Sequence, residues 1–438
     1  MKIHIKEYKN IRNLTIPVSP SNTVILLGSN GVGKTNTLEA IYRDYGQITD
    51  TDTDFKGKYL LSLDLPRERD KYYPNADVLG QLFTAPAGEL PEVMLNFLEE
   101  EYTKTHRPMM KQYISDALQN LKYAEVNREF DLSPAAVIRL VILNVILAQA
   151  RENNEKYIVM VDSPELYAHP MLMDELTATL NQLRALGSLI IISTHNDRIV
   201  SRMFSSFADI IKMTKKDGLL QIQTVDIEDI KNRILDFYRS DENLTHSFSR
   251  STHHDDGLLK ILNEDLEGYL ITSLRDHIIT IFSSPTIILG EGISEDVLFD
   301  YIDNELHPNW LSEYQVGFMS CIGKSTMPLY FITLNAIGVK TFVLFDYDND
   351  TNPVHNAFRL AFKRYHLANK RMFRSYYLKP DLENYLNFFD DEDKIASIVK
   401  PVNIYNYTFL RRTENRQLNQ LLEIMHDNIA MLNKERNS

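Results

Sequence analysis

Apolar residues along this chain fall into short runs of two kinds. Residues 24–27, 157–161, 189–192, 286–289 and 341–345 are compact, nearly all-apolar runs bounded by Gly, Ser, Pro or Asp, the pattern of strands buried on both faces. Near the start, IHIKEY and NLTIPV alternate polar with apolar positions and predict half-buried strands. From residue 134 the run PAAVIRLVILNVILAQA is apolar all round, which predicts a buried helix, with Ser133 as N-cap and Pro134 in the first turn. Buried strands alternating with helical segments predict an α/β protein.

The connections between runs divide the chain. Residues 1–225 carry the first set of strands, with a charged, tyrosine-rich stretch at about 46–127 that reads as a helical insertion forming an arm or a dimer surface. Residues 226–274 are polar and mixed and read as a connector, and 275–438 form a second domain. Within the connector, His253, His254, Asp255 and Asp256 are adjacent, and adjacent residues rarely converge on one ion, so they read as a solvated loop.

The chemistry sits where strands end. Residues 24–42, VILLGSNGVGKTNTLEAIY, run strand, glycine-rich turn, helix. Asn30, Gly31 and Gly33 shape a turn whose backbone N–H groups can approach a polyphosphate, Lys34 can reach its β/γ-phosphates, and the Thr35 hydroxyl can hold Mg²⁺. Asp162 ends the next buried strand, where a Mg²⁺-coordinating carboxylate belongs, and His195 ends the third, within reach of a γ-phosphate. The helix N-terminus at Ser133 is a candidate to face a phosphate carried by a second subunit.

A second centre lies in the other half. Glu291 ends a strand between Gly290 and Gly292, with Ser294 as the expected N-cap of the following helix and Glu295 in its first turn. Asp346 and Asp348 follow another strand and, by alternation, share a side that Tyr347 does not. Carboxylates from two neighbouring strand ends make a hard oxygen site suited to Mg²⁺ or Mn²⁺. Downstream, FRLAFKRYHLANKRMFR holds Arg359, Lys363, Arg364, Lys370, Arg371 and Arg374 without an acid. It reads either as a solvated basic helix or as a phosphate track whose aromatics pack inward or contact bases.

These motifs resemble known families. GSNGVGKT, LSPAA, IVMVDSPELYAHP and IISTHN are similar to the ATP-binding-cassette ATPase of RecF-like and overcoming-lysogenisation-defect (OLD) proteins. That resemblance implies ATP held between two heads, with Ser133 of one facing the γ-phosphate of the other. Two positions depart from it: Ser163 stands where the family has a glutamate general base, and Ala135 where its signature has glycine. Either Glu165 substitutes as base, or hydrolysis is slow and ATP acts as a clamp. IILGEG and VLFDYDND resemble the TOPRIM domain of topoisomerases, primases and OLD nucleases. The match implies that Glu291, Asp346 and Asp348 are catalytic metal ligands. It also implies that Glu295 and Glu383 are further acids permitting a second metal, and that a lysine near the C-terminus takes part, Lys394 or Lys400.

The resemblance thus implies an ABC-type P-loop ATPase with a helical insertion, followed by a Rossmann-like TOPRIM domain. Its function would be ATP-regulated, metal-dependent DNA cleavage in bacterial anti-phage defence, as a homodimer or higher homo-oligomer, with or without a defence partner protein. An ATP-gated DNA sensor or scaffold whose TOPRIM domain does not cut is the alternative. A topoisomerase would need a strand-cleaving tyrosine domain, and none is evident. Composition narrows the setting: the net charge of −13 argues against indiscriminate coating of nucleic acid, and the single cysteine, Cys321, excludes an intrachain disulfide. No apolar run is long enough to span a bilayer and no signal-peptide pattern opens the sequence, so a cytoplasmic protein without membrane attachment is expected.

Overall fold

The structure is a computed structural model that describes residues 1–62, 115, 134–166, 170–245, 266–347, 352–387, 400–410 and 415–434. Ser133, the signature Ala135 side chain, the 253–256 cluster, Asp348 and Lys394 therefore lie outside what is described. Contacts divide the chain into two compact units, Met1–Thr224 and Val225–Ser438.

The first unit begins with β1 (Lys2–Tyr8) and β2 (Ile11–Pro17), followed by β3 (Thr23–Leu27), α1 (Lys34–Tyr42), β4 (Gly46–Thr49) and β5 (Phe55–Leu61). After the insertion come α2 (Pro134–Asn153), β6 (Lys156–Asp162), α3 (Pro170–Ala185), β7 (Leu189–Ser193), α4 (Asp197–Met203), β8 (Ile210–Lys216) and β9 (Leu219–Gln223). β1 lies between β2 and β4 in an antiparallel sheet, with Ile3 opposite Ile16 and Ile48, so its apolar positions share one face. The main sheet has the order β5-β6-β7-β3-β8-β9, parallel except for β9. Every residue of β3 and β7 is buried, as their unbroken apolar sequence requires. The stretch read as an insertion from residue 46 thus begins with two strands of the head. β5 escaped notice because FKGKYLL lies at the sheet's edge and buries only Leu60 and Leu61.

The second unit opens with α5 (Ile227–Arg239), inside the segment read as a connector. Ile230, Ile234 and Phe237 form a stripe at helical spacing, which packs against this unit's core, and Asp226 caps the helix by accepting from the N–H groups of Glu228 and Asp229. The Phe237 ring lies 5.6 Å from Phe331, and the buried Tyr238 hydroxyl donates to the Ser325 carbonyl. Next come α6 (Leu266–Leu274), α7 (Ile278–Ser283), β10 (Thr286–Gly290), α8 (Ile293–Tyr301), β11 (Val316–Ser320), α9 (Met327–Ala336) and β12 (Lys340–Asp346). α10 (Pro353–Ala368), β13 (Phe373–Leu378), α11 (Leu382–Leu386), α12 (Lys400–Tyr405) and α13 (Arg416–Asn433) complete it. Its sheet is wholly parallel, in the order β11-β10-β12-β13. α13 buries Leu418, Leu421, Leu422, Met425, Ile429 and Leu432 in the core beside Ile288 and Phe342. The α/β class read from the sequence is the fold observed, a phosphate-loop head and then a Rossmann-like parallel sheet.

Among the described residues no helix is long and apolar enough to cross a membrane.

Candidate nucleotide and metal sites

In the first unit, the parallel order places the C-terminal ends of β3, β7 and β6 side by side, and loops leaving such ends are where α/β sheets bind ligands. Gly28 leaves β3 at φ 150°, and a Cβ there would lie 2.3 Å from the Met213 carbonyl oxygen. Gly31 and Gly33 also have positive φ, 74° and 125°, which lets the turn wrap toward the start of α1. Inside the turn, Lys34 Nζ donates to the carbonyl oxygens of Gly28 at 2.7 Å and Ser29 at 3.2 Å. Burial lowers the lysine's pKa, while Asp162 and Glu165 oppose that shift. A buried ammonium that donates to carbonyl oxygens is well placed for an anionic partner.

The Thr35 hydroxyl donates to Asp162 Oδ2 at 2.8 Å, so the two expected Mg²⁺ ligands are brought together. Their oxygen chemistry fits a hard divalent cation. Ser163 has a positive φ of 47°. Glu165 accepts a hydrogen bond at each carboxylate oxygen: Oε2 from the Thr194 hydroxyl at 2.7 Å and Oε1 from the His195 N–H at 2.8 Å. It therefore ties the end of β6 to the end of β7. His195 is half-buried, and burial together with the Lys34 charge lowers its pKa, favouring the neutral imidazole.

Arg139 was missed by sequence reasoning. It is 4% exposed, and its Nη1 donates to the carbonyl oxygens of Ser163 and Pro164, both at 3.3 Å, bracing the turn that carries Glu165. The available signal was a single charged residue within the apolar run 134–150, because a buried guanidinium must be paired.

In the second unit, Glu291 and Asp346 leave the adjacent parallel strands β10 and β12, and the Asp346 N–H donates to Glu291 Oε2 at 3.1 Å. Asp346 Oδ1 accepts from the Leu382 N–H at 2.9 Å, which draws α11 and Glu383 to the site. Glu383, 1% exposed, accepts from the Ser294 hydroxyl at 2.9 Å. Ser294 is thus no N-cap: α8 starts at Ile293, with Gly292 as the capping residue, and Glu295 Oε2 accepts from the Gly292 N–H at 2.9 Å. A Cβ on Gly290 would lie 2.6 Å from that of Glu295, so glycine there lets the first turn of α8 approach the end of β10.

Two lysines enter this acidic group. Lys324, 8% exposed, lies 3.8 Å from Glu291 Oε2 with its ammonium 5.7 Å from the Phe345 ring centroid. Lys400 Nζ lies 3.1 Å from Glu383 Oε2 and 3.5 Å from Asp381 Oδ2. Burial works against the Lys400 charge, but Glu383, Asp381 and Asp346 outweigh it and hold its pKa above the ordinary lysine value. Lys400, one of the two C-terminal lysines considered, lies at the acids, and Lys394 falls outside the described residues.

Glu295 is 2% exposed, and burial, reinforced by the charge of Glu291, raises its pKa to about 8. Among the described residues no three His, Cys, Asp or Glu side chains already form a metal-binding cluster. The carboxylate-rich set around Glu291 and Asp346 nevertheless has the donor chemistry of a hard-cation site.

A pH effect follows for the metal-free protein. An unfolded glutamate releases its proton near pH 4.5, whereas folded Glu295 keeps it until about 8. The native state thus binds more protons across that window, and stability falls as pH rises through it. In chelator, the urea midpoint of wild type relative to Glu295→Gln is expected to drop between pH 5 and pH 8. An identical difference at both pH values would rule this out.

The class of the second unit follows from comparison: residues 282–348 match the domain family described as "Overcoming lysogenization defect protein-like, TOPRIM domain". More particularly, the chain is a distant relative of the Old nuclease of Escherichia phage P2, 24% identical over 216 residues that are 48% of this chain and 32% of that protein. The match thus spans about a third of that relative's length. A nucleotide-free ATP-binding cassette from an ABC transporter is similar at 17% identity and TM-score 0.29, covering 53% of this chain and 93% of its own. The SmcHead bound to the C-winged helix domain of ScpA gives 11% identity and TM-score 0.30, covering 53% and 98%.

Proposed function

We propose that this protein is an ATP-regulated, divalent-metal-dependent DNA endonuclease of the OLD type, acting in bacterial anti-phage defence. The observation that carries the reading is the convergence of Glu291, Asp346, Glu383 and Lys400 at strand and helix ends of a unit containing the matched TOPRIM span. Mg²⁺ or Mn²⁺ bound there would supply an activated water and stabilisation of the leaving oxygen. Glu291, Asp346 and Asp348 are the proposed ligands, with Glu295 and Glu383 as the additional acids. Lys400 places a positive charge where phosphate charge develops, and Lys324 holds the Glu291 carboxylate in place.

In the head, Lys34 grips the β/γ-phosphates of ATP, and Thr35 and Asp162 hold its Mg²⁺. Both Glu165 oxygens are already engaged by Thr194 and His195, and Ser163 supplies no carboxylate, which supports slow hydrolysis and ATP as a clamp between paired heads. Ser133 facing the partner's γ-phosphate belongs to this proposal, as do a cytoplasmic location and a defence partner.

The test is nicking of supercoiled plasmid in Mg²⁺ or Mn²⁺ with no nucleotide, with ADP and with ATP. Rates that differ between nucleotide states, all abolished by Glu291→Ala, are expected. Equal rates in all three would remove the regulatory role of the head. No cutting with DNA still bound would transfer the reading to an ATP-gated sensor that acts through a partner.

A further inference from the structure

The side of β12 opposite the acids carries a second polar cluster. Residues 353–379 contain seven Lys or Arg and no Asp or Glu, within a chain of net charge −13. The aromatics of α10 do not line this surface: Phe358 and Phe362 are buried, and the Tyr365 ring lies 4.9 Å from that of Phe331 in the core. Two other rings do. Tyr377, 44% exposed, lies on β13, the edge strand, opposite Phe345 of β12. Tyr347 follows Asp346 directly, its N–H donating to the Leu378 carbonyl at 2.8 Å, and its ring centroid is 5.0 Å from that of Tyr377.

Cations converge on this pair. The Arg359 guanidinium and the Lys379 ammonium each lie 4.8 Å from the Tyr347 ring centroid. The Tyr347 hydroxyl accepts from Arg359, and Asn356 fixes the guanidinium's other branch at 2.7 Å. Exposed Lys363, Arg364, Lys370 and Arg371 continue the positive charge beyond them.

We infer that Tyr377, with Tyr347, Arg359 and Lys379 around it, is a stacking site for an unpaired nucleobase beside the metal centre. The preferred ligand is then single-stranded or locally unpaired DNA. An exposed tyrosine ring offers a π-face to any base, and neighbouring cations hold the flanking phosphates. In a duplex the base faces are hidden in the stack, so the ring gains its partner only where the strand is open. Tyr347 adjoins Asp346 in the chain but faces the other side of β12, so a DNA strand whose base is held here reaches the acidic group by passing the C-terminal end of β12. This inference rests on the reading of the second unit as a DNA-acting domain.

The test is fluorescence anisotropy of the full chain with a short fluorescein-labelled oligonucleotide, single-stranded or annealed to its complement, in EDTA so that binding is separated from cutting. The single strand should bind more tightly. Tyr377→Ala should weaken it on the order of tenfold, leave duplex affinity unchanged, and be rescued by Tyr377→Phe. Equal wild-type affinity for both forms, an unchanged Tyr377→Ala, or a Phe variant as weak as the Ala variant would overturn the site. Repeating the series with Mn²⁺ separates the two claims. Strand preference without cutting would keep the stacking site and sink the nuclease reading, whereas cutting without strand preference would do the reverse.

Discussion

Replacing Asp346 with alanine is expected to lower metal-dependent DNA cleavage by at least on the order of a hundredfold, since removing even an outer partner of a metal ligand can have an effect of that size. The loss should be local. The Asp346 N–H that donates to Glu291 Oε2 belongs to the backbone and survives the change, so Glu291 keeps its anchor. What disappears is the carboxylate and its hydrogen bond from the Leu382 N–H, a stability effect of about 1 kcal/mol. Asp346→Asn sharpens the test, because its side-chain oxygen can still accept from Leu382 while the charge is gone. If cleavage depends on a charged metal ligand, both variants are inactive and melt close to wild type. An Asn variant that cuts at the wild-type rate would remove Asp346 from the catalytic set.

Lys34→Ala is expected to abolish the stabilisation that ATP gives the head. A nucleotide at about 100 times its Kd should stabilise the wild type by about 2.7 kcal/mol, a rise of several degrees in melting temperature. Among the described residues Lys34 Nζ donates to the Gly28 and Ser29 carbonyls, so truncation releases two backbone acceptors and leaves the Thr35 and Asp162 pair in place. The variant should fold, show no melting shift with ATP, and give the same plasmid-nicking rate with and without nucleotide. A full ATP shift in Lys34→Ala would exclude this loop as the phosphate site.

What could be read in the sequence was what periodicity and punctuation encode. β3, β7, β10 and β12 are apolar along nearly their whole length and end at or just before Gly, Ser or Asp, so both the strands and the residues they present were visible. Edge elements were not, because partial burial does not demand apolar sequence. β5 passed for insertion, and α5, highly charged on its outer face, passed for linker. α13 carries an apolar stripe from Leu418 to Leu432 at helical spacing, the mark of a core helix. Tertiary partners were the other gap. Nothing near Ser294 in sequence shows that its hydroxyl turns to Glu383 rather than capping α8, and nothing in the spacing shows that Lys400 reaches Glu383 and Asp381.

The central claim is that the acidic group of the second unit holds the metals for DNA cleavage. Its most direct test is the nicking rate of supercoiled plasmid as Mn²⁺ is titrated into homogeneous, chelator-treated protein, wild type beside Glu291→Ala. The account predicts no nicking without metal, a saturable rise with Mn²⁺ in the wild type, reversal by EDTA, and none of this in the variant. Nicking that ignores chelator, or a Glu291→Ala titration that overlays the wild type, would contradict it.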